Sequence, residues 1–146
     1  METKVTSPSP KQRLILAVLG LVAVGLFAAY HVANTFVVYA DENVHLYVAK
    51  EVAAGHALYS QVHSARPPLV IWFLVALLKL GLKPLIAART GVLIATLGTA
   101  AALAWGGRRL GGLYAGVAAA VLYLLGPETI MRNAYSGIHL VGLFAV

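Results

Sequence analysis

The sequence predicts an all-α fold, a polytopic bundle of transmembrane helices with short interfacial helices in its first extracytoplasmic loop. Hydrophobic residues make up 60% of the chain, charged residues only 11%, and the mean hydropathy is +0.83. Soluble domains carry about 25% charged residues, so this composition is typical of an integral membrane protein. At about 20 residues per span, the 146 residues hold about four or five spans and no separate soluble domain.

Charge and cysteine content exclude several classes of function. The net charge is +6, but the basic residues occur singly or in pairs, so they predict membrane topology and not nucleic-acid binding. The chain has no cysteine, which excludes disulfides and thiolate chemistry.

The first element is an uncleaved membrane span. Residues 1–13 are rich in Ser, Pro and Lys and are expected to form a disordered cytoplasmic tail. Span 1 follows over residues 14–36. Basic residues precede it as in a signal peptide, but the apolar run from Leu14 to Ala40 is much longer than the roughly 7–15 residues of a signal h-region.

Residues 37–84 are predicted to form an outer loop with two interfacial helices. Asp41 is a suitable N-cap for the first helix, over residues 42–54, which is too short to cross a bilayer. Pro67–Pro68 begins the second, over 68–82. Its apolar part has about ten to fourteen residues, which favours an interfacial or re-entrant helix over a span.

The remainder of the chain predicts further spans. Span 2 covers residues 85–105 and span 3 covers 110–126, with Arg108–Arg109 between them. Another apolar stretch, 138–146, is the start of a further span. We therefore expect residues 1–146 to be a single membrane domain, the N-terminal fragment of a longer protein.

Charge predicts the orientation in the cell membrane. Loops rich in Lys and Arg stay in the cytoplasm, which places the N-terminus and Arg108–Arg109 inside and Asp41–Glu42 outside. If residues 68–82 crossed the bilayer, Arg108–Arg109 would be exported, so the non-crossing interpretation is favoured. Lys79 and Lys83 count against it.

Asp41, Glu42 and His45 are the first candidates for chemistry. Asp41 and His45 are four residues apart and share a helix face. A partly desolvated carboxylate beside an imidazole is suited to general-base catalysis. Two such groups are also a weak site for a divalent cation. The alternative is structural, since Asp is a favoured N-cap and Glu suits the first helical turn.

Basic residues near the predicted outer surface are the second set of candidates. Arg66, close to His63, is suited to bidentate phosphate binding; the alternative is an interfacial Arg neutralised by lipid. Glu128 and Arg132 are four residues apart and are either an ion pair or part of a substrate site.

The outer loop resembles a known family. The run YADENVHLYVAKEVAAGHALYSQVHSARPPLVIWFLVALLKL is similar to the first outer loop of polytopic GT-C glycosyltransferases, which include protein O-mannosyltransferases, aminoarabinose transferases and the Rgt-like group. The shared order is the Asp41–Glu42 pair after the first span, His45 and Tyr47 in a helix ending at Gly55, then Leu58–Tyr59, and finally Pro67–Pro68–Leu69 entering an apolar helix.

The resemblance implies inverting transfer of a sugar from a polyprenyl-phosphate-linked donor to an extracytoplasmic acceptor, which is a glycan, a lipid or a protein. It implies that Asp41 is the general base and Glu42 its neighbour in the motif. Membrane lipids are the other expected partners, nucleic acid is not expected, and a divalent metal is an open possibility. The candidate site comprises catalytic Asp41 and Glu42, with substrate binding by His45, His63, Arg66, Glu128 and Arg132.

A second hypothesis is a non-catalytic, truncated or degenerate relative that binds the lipid carrier or packs against partner spans. Members of the family commonly carry an acid shortly after the Arg of the second outer loop, whereas Arg132 is followed by NAYSGIHL. A transporter or channel is less favoured, because Arg89 and Thr90 are among the few polar residues in the spans.

Overall fold

The computed structural model describes residues 9–37, 40–127 and 129, with the backbone alone at residues 40 and 41. The regular secondary structure in this part of the chain is entirely helical, which confirms the predicted all-helical class. They are α1 (Pro10–Ala33), α2 (Ala40–Ala53), α3 (Pro68–Lys79) and α4 (Pro84–Leu125). The predicted further span, 138–146, lies outside the described residues.

Helix α1 begins earlier than predicted. Ser9 and Gln12 form a capping box, in which the Ser9 hydroxyl accepts from the Gln12 N–H and the Gln12 side chain accepts from the Ser9 N–H. This arrangement satisfies two N–H groups at the start of the helix. Residues 10–13, expected in the tail, are therefore helical. The helix ends at Ala33, three residues before the predicted end, and Asn34 caps it.

Helix α4 reverses direction at Gly112. This residue has φ 79° and ψ −175° inside an otherwise helical segment, a backbone conformation that glycine adopts without the steric cost of a Cβ. A Cβ on Gly116 would clash with the Ala104 carbonyl oxygen, although twelve residues of straight helix would separate these positions by about 18 Å. Residues 84–111 and 113–125 are thus the first and second arms of a helical hairpin.

Helix α1 runs antiparallel to the first arm of α4. Gly20, near the middle of α1, lines the same apolar groove as Ala104. Near the C-terminal end of α1, His31 donates a hydrogen bond to the main-chain oxygen of Arg89. Between these levels, an apolar cluster joins α1 to both arms of the hairpin through Ala23, Phe27, Ala100 and Leu124.

Helices α2 and α3 pack together on the start of α4. Leu46 and Val52 of α2, Ile71 and Leu74 of α3, and Ala88 of α4 belong to one buried cluster. The twelve residues of α3 extend only about 18 Å at 1.5 Å per residue, which is less than the roughly 30 Å of bilayer hydrocarbon.

Two helices, α1 and α4, are long and apolar enough to cross a membrane. Most of α1 is uncovered, with Leu14, Leu21 and Val32 more than half exposed. Contiguous exposed apolar surface of this kind marks an interaction with lipid or protein.

The tight contact at the hairpin predicts a position-specific effect of adding a methyl group. Gly116→Ala should lower the free energy of unfolding by about 1–3 kcal/mol, because the new Cβ meets backbone atoms of Ala104 and Arg108 that cannot move independently. Gly25→Ala in α1 is the matched control, since its Cβ would meet nothing within 4 Å, and it should be neutral or stabilising. Unfolding in detergent, followed by circular dichroism, measures both. Equal effects of the two substitutions would contradict the contact.

Candidate functional site

The site is organised around the buried side chain of Arg89 in the first arm of α4. Its Nη1 and Nη2 donate to Oε1 and Oε2 of Glu42, the latter at 2.9 Å. Arg89 is 3% exposed and Glu42 is fully buried. This bidentate geometry matches the planar fork of a guanidinium to a carboxylate and is the strongest form of ion pair between side chains.

The same guanidinium also binds the chain that follows α1. Arg89 Nε donates to the Thr35 carbonyl oxygen at 3.0 Å, and Nη2 donates to the Val37 carbonyl oxygen. Carbonyls after a helix C-terminus have no partner within the helix, and a cation near them is favourable. Arg89 therefore joins α4 to both the end of α1 and the start of α2.

His31 completes the connection from the α1 side. Its Nε2 donates to the Arg89 main-chain oxygen at 2.9 Å, and its ring stacks on Phe27 with centroids 5.8 Å apart. The imidazole is 6% exposed. His31 bonds to the backbone of Arg89. It therefore fixes the axial position of α1 relative to α4 without occupying a donor of the guanidinium.

The structure buries Glu42, one acid of the predicted catalytic pair, and places the backbone of the other, Asp41, in the same helical turn. The Glu42 carboxylate is buried and accepts from Arg89 through both oxygens, an arrangement that favours anchoring of α2. Asp41 lies in the first turn of the helix, which begins at Ala40. The prediction that Asp41 is the N-cap is therefore wrong, because the helix starts before it.

His45 and Arg66, both predicted to bind substrate, come together. They line one pocket of about 200 Å³ between α2 and the loop that precedes α3. His45 is 3% exposed, whereas the Arg66 side chain is at the surface. His63 is exposed and is not among the residues that line this pocket. Glu128 and Arg132 lie outside the described residues.

Metal-ligand geometry is not assembled in this part of the protein. Within residues 9–37, 40–127 and 129, no group of three or more His, Cys, Asp or Glu side chains is close enough to hold a metal ion. Asp41 is not described beyond its backbone, so its pairing with His45 stays a prediction.

Sequence reasoning did not find Arg89 and His31 as site residues. In the sequence, both are isolated polar residues within apolar helical runs. A buried arginine in such a run requires a partner, but the partner, Glu42, is 47 positions away, so local spacing gave no indication of it.

Comparison with protein families, with curated proteins and with solved structures found no match for this chain.

The ion pair predicts strong and non-additive effects of substitution. Glu42→Gln and Arg89→Gln should each lower the free energy of unfolding by about 3–5 kcal/mol, because each leaves one buried charged group without its partner. The double variant Glu42→Leu/Arg89→Met should lower the free energy of unfolding by much less than the sum of the two single effects. Chemical unfolding in detergent measures these differences.

Glu51→Gln is the control for this prediction. Glu51 forms a partly exposed pair with His56 at 3.1 Å, and such pairs contribute about 0–1 kcal/mol. If Glu42→Gln lowered the free energy of unfolding by as little as Glu51→Gln, the result would contradict a structural role for the buried pair.

Proposed function

We propose that the chain belongs to a membrane glycosyltransferase, which transfers a sugar from a polyprenyl-phosphate-linked donor to an acceptor on the extracytoplasmic side of the cell membrane. The observation that carries this proposal is the Asp41–Glu42 pair in the first turn of α2, with Glu42 bound to Arg89 at the end of two long apolar helices. The order of motifs from Asp41 to Leu69 supports it through its resemblance to GT-C enzymes.

The spacing of the polar and charged residues supports a membrane-spanning arrangement. Arg89 and Arg108 lie 19 positions apart in the first arm of α4, or about 28 Å, close to the roughly 30 Å of bilayer hydrocarbon. Arg13 and His31 in α1 are 18 positions apart. Because α1 and this arm are antiparallel, the Glu42–Arg89 pair lies at one boundary of the apolar layer, and Arg13 and Arg108 lie near the other.

The proposed chemistry assigns different roles to the two acids. The Asp41 carboxylate takes the proton of the acceptor hydroxyl as the oxygen attacks the anomeric carbon of the sugar. The bond from that carbon to the phosphate oxygen breaks, and the carrier phosphate leaves with the bonding electrons. Glu42 is a positioning residue, because its ion pair with Arg89 fixes the turn of α2 that carries Asp41.

A second candidate is a non-catalytic membrane protein that binds the lipid carrier or packs against partner spans. The burial of Glu42 favours it, since the ion pair alone explains why an acid follows the first long helix. The two candidates differ in whether Asp41 has a role in turnover.

The orientation is tested by single-cysteine labelling, for which the cysteine-free chain needs no background substitution. Asn43→Cys should react with a membrane-impermeant maleimide added outside intact cells, whereas Leu110→Cys, which replaces a side chain that is 93% exposed, should react only after the cells are opened. Leu21→Cys should resist labelling in both states, because lipid covers that part of α1. Labelling of Asn43→Cys only in opened cells would reverse the proposed topology.

The reaction is tested in membranes that contain the chain, with a panel of radiolabelled polyprenyl-phosphate hexoses and pentoses. Asp41→Asn should reduce transfer at least about 100-fold, the lower range for loss of a general base. Glu51→Gln, another acid on α2, should leave the rate unchanged. Transfer that survives Asp41→Asn contradicts the proposed base, and absence of transfer by the unmodified chain with every donor favours the non-catalytic candidate.

A further inference from the structure

The pocket between α2 and the loop before α3 combines an apolar wall with a cationic rim. Its volume is about 200 Å³. The α2 wall carries the buried imidazole of His45, and the loop contributes Ser64 and Arg66. The lining residues are Val44, His45, Val48, Ser64, Ala65 and Arg66.

The loop holds the backbone of Arg66 in place. The Tyr59 hydroxyl donates to the Arg66 carbonyl oxygen at 2.7 Å, and the Arg66 N–H donates to Ser64 Oγ at 3.2 Å. Tyr59 has φ 73°, a left-handed conformation that costs free energy for a residue with a side chain and persists only where the surroundings require it. Pro67 follows Arg66 directly and restricts its backbone further.

Two arginines near this end of the molecule differ in their surroundings. The Arg89 guanidinium donates two hydrogen bonds to Glu42 and one each to the carbonyls of Thr35 and Val37. The Arg66 guanidinium forms no ion pair or side-chain hydrogen bond with any of the residues that the structure describes. A guanidinium at the mouth of a pocket, with its backbone fixed and its donors available, is suited to an oxyanion.

We propose that this pocket binds a phosphate group, with the Arg66 guanidinium as the charged donor and the His45 side of α2 as the inner wall. A phosphate accepts two parallel N–H bonds from arginine, which lysine does not supply. The phosphate belongs either to a lipid headgroup or to a free ion. The lipid source fits the position of the pocket, because Arg66 lies two residues before the start of the apolar helix α3 with its exposed Trp72. The site stands independently of the proposed sugar transfer.

The test uses the full chain in phosphatidylcholine nanodiscs and three probes: dihexanoyl phosphatidic acid, dihexanoylglycerol, which lacks the phosphate, and inorganic phosphate. Tryptophan fluorescence measures their dissociation constants. Phosphatidic acid should bind more tightly than dihexanoylglycerol. Arg66→Gln should weaken phosphatidic acid binding by about tenfold or more, the range of a charge-assisted hydrogen bond, and Arg66→Lys should fall between Gln and the unmodified chain.

Arg109→Gln is the matched control. Arg109 is also an exposed arginine, but it lies over the Trp105 ring, 5.2 Å from the ring centroid, at the end of the first arm of α4 that is distant from Arg89. Its loss should leave phosphatidic acid binding within about twofold. Circular dichroism checks that each variant is folded. Inorganic phosphate binding as tight as phosphatidic acid would identify a free ion as the ligand. Equal binding of the two lipid probes, or undiminished binding after Arg66→Gln, overturns the proposal.

The outcome is separable from that of the transfer assay. Asp41→Asn removes the proposed base and should leave phosphatidic acid binding intact, whereas Arg66→Gln removes the phosphate contact. Binding that depends on Arg66 in a chain without transferase activity would support the pocket and reject the enzyme. Sugar transfer by a chain whose phosphatidic acid binding does not depend on Arg66 would support the enzyme and reject the pocket.

Discussion

The ion pair between Arg89 and Glu42 sets the arrangement of all the helices around it. A guanidinium cannot lose its charge at physiological pH, so an arginine inside an apolar helix must be neutralised or reach water. Here both oxygens of a fully buried carboxylate and two carbonyls beyond α1 supply that neutralisation. Because the donors of a guanidinium are coplanar and rigid, they specify where α1 ends and where α2 begins relative to α4.

The rest of the fold is held by contacts of lower specificity. Small residues allow the two arms of α4 to approach closely, as Gly107 and Gly116 do, and apolar side chains fill the space between α1 and the hairpin. The apolar packing between α1 and the hairpin has no directional requirement, whereas a bidentate ion pair fixes the relative position of its two partners. The polar contact thus selects one register among several that apolar packing alone would permit, a role attested for buried polar groups in other helical assemblies.

The helices were predictable from the sequence, and the site was only partly so. Apolar length located α1 and α4, and prolines marked the starts of α3 and α4, because proline suits a first helical turn. The predicted start of α2 was wrong. It was based on the preference of Asp for the N-cap position, which does not exclude an earlier start of the helix. The adjacent acids Asp41 and Glu42 after the first apolar run indicated that Glu42 is important. They could not identify Arg89 as its partner, since a contact between residues 47 positions apart leaves no periodic signal in the sequence. The proximity of His45 and Arg66 likewise depends on the path of the intervening loop.

The order of the charges along the chain has a consequence for biosynthesis. Glu42 leaves the ribosome 47 residues ahead of Arg89, and α3 is made in between. A nascent chain that stops after α2 therefore carries the acid without the base that neutralises it. The opening pair of helices cannot reach its final state independently, and its assembly has to wait for the first turns of α4 to be translated.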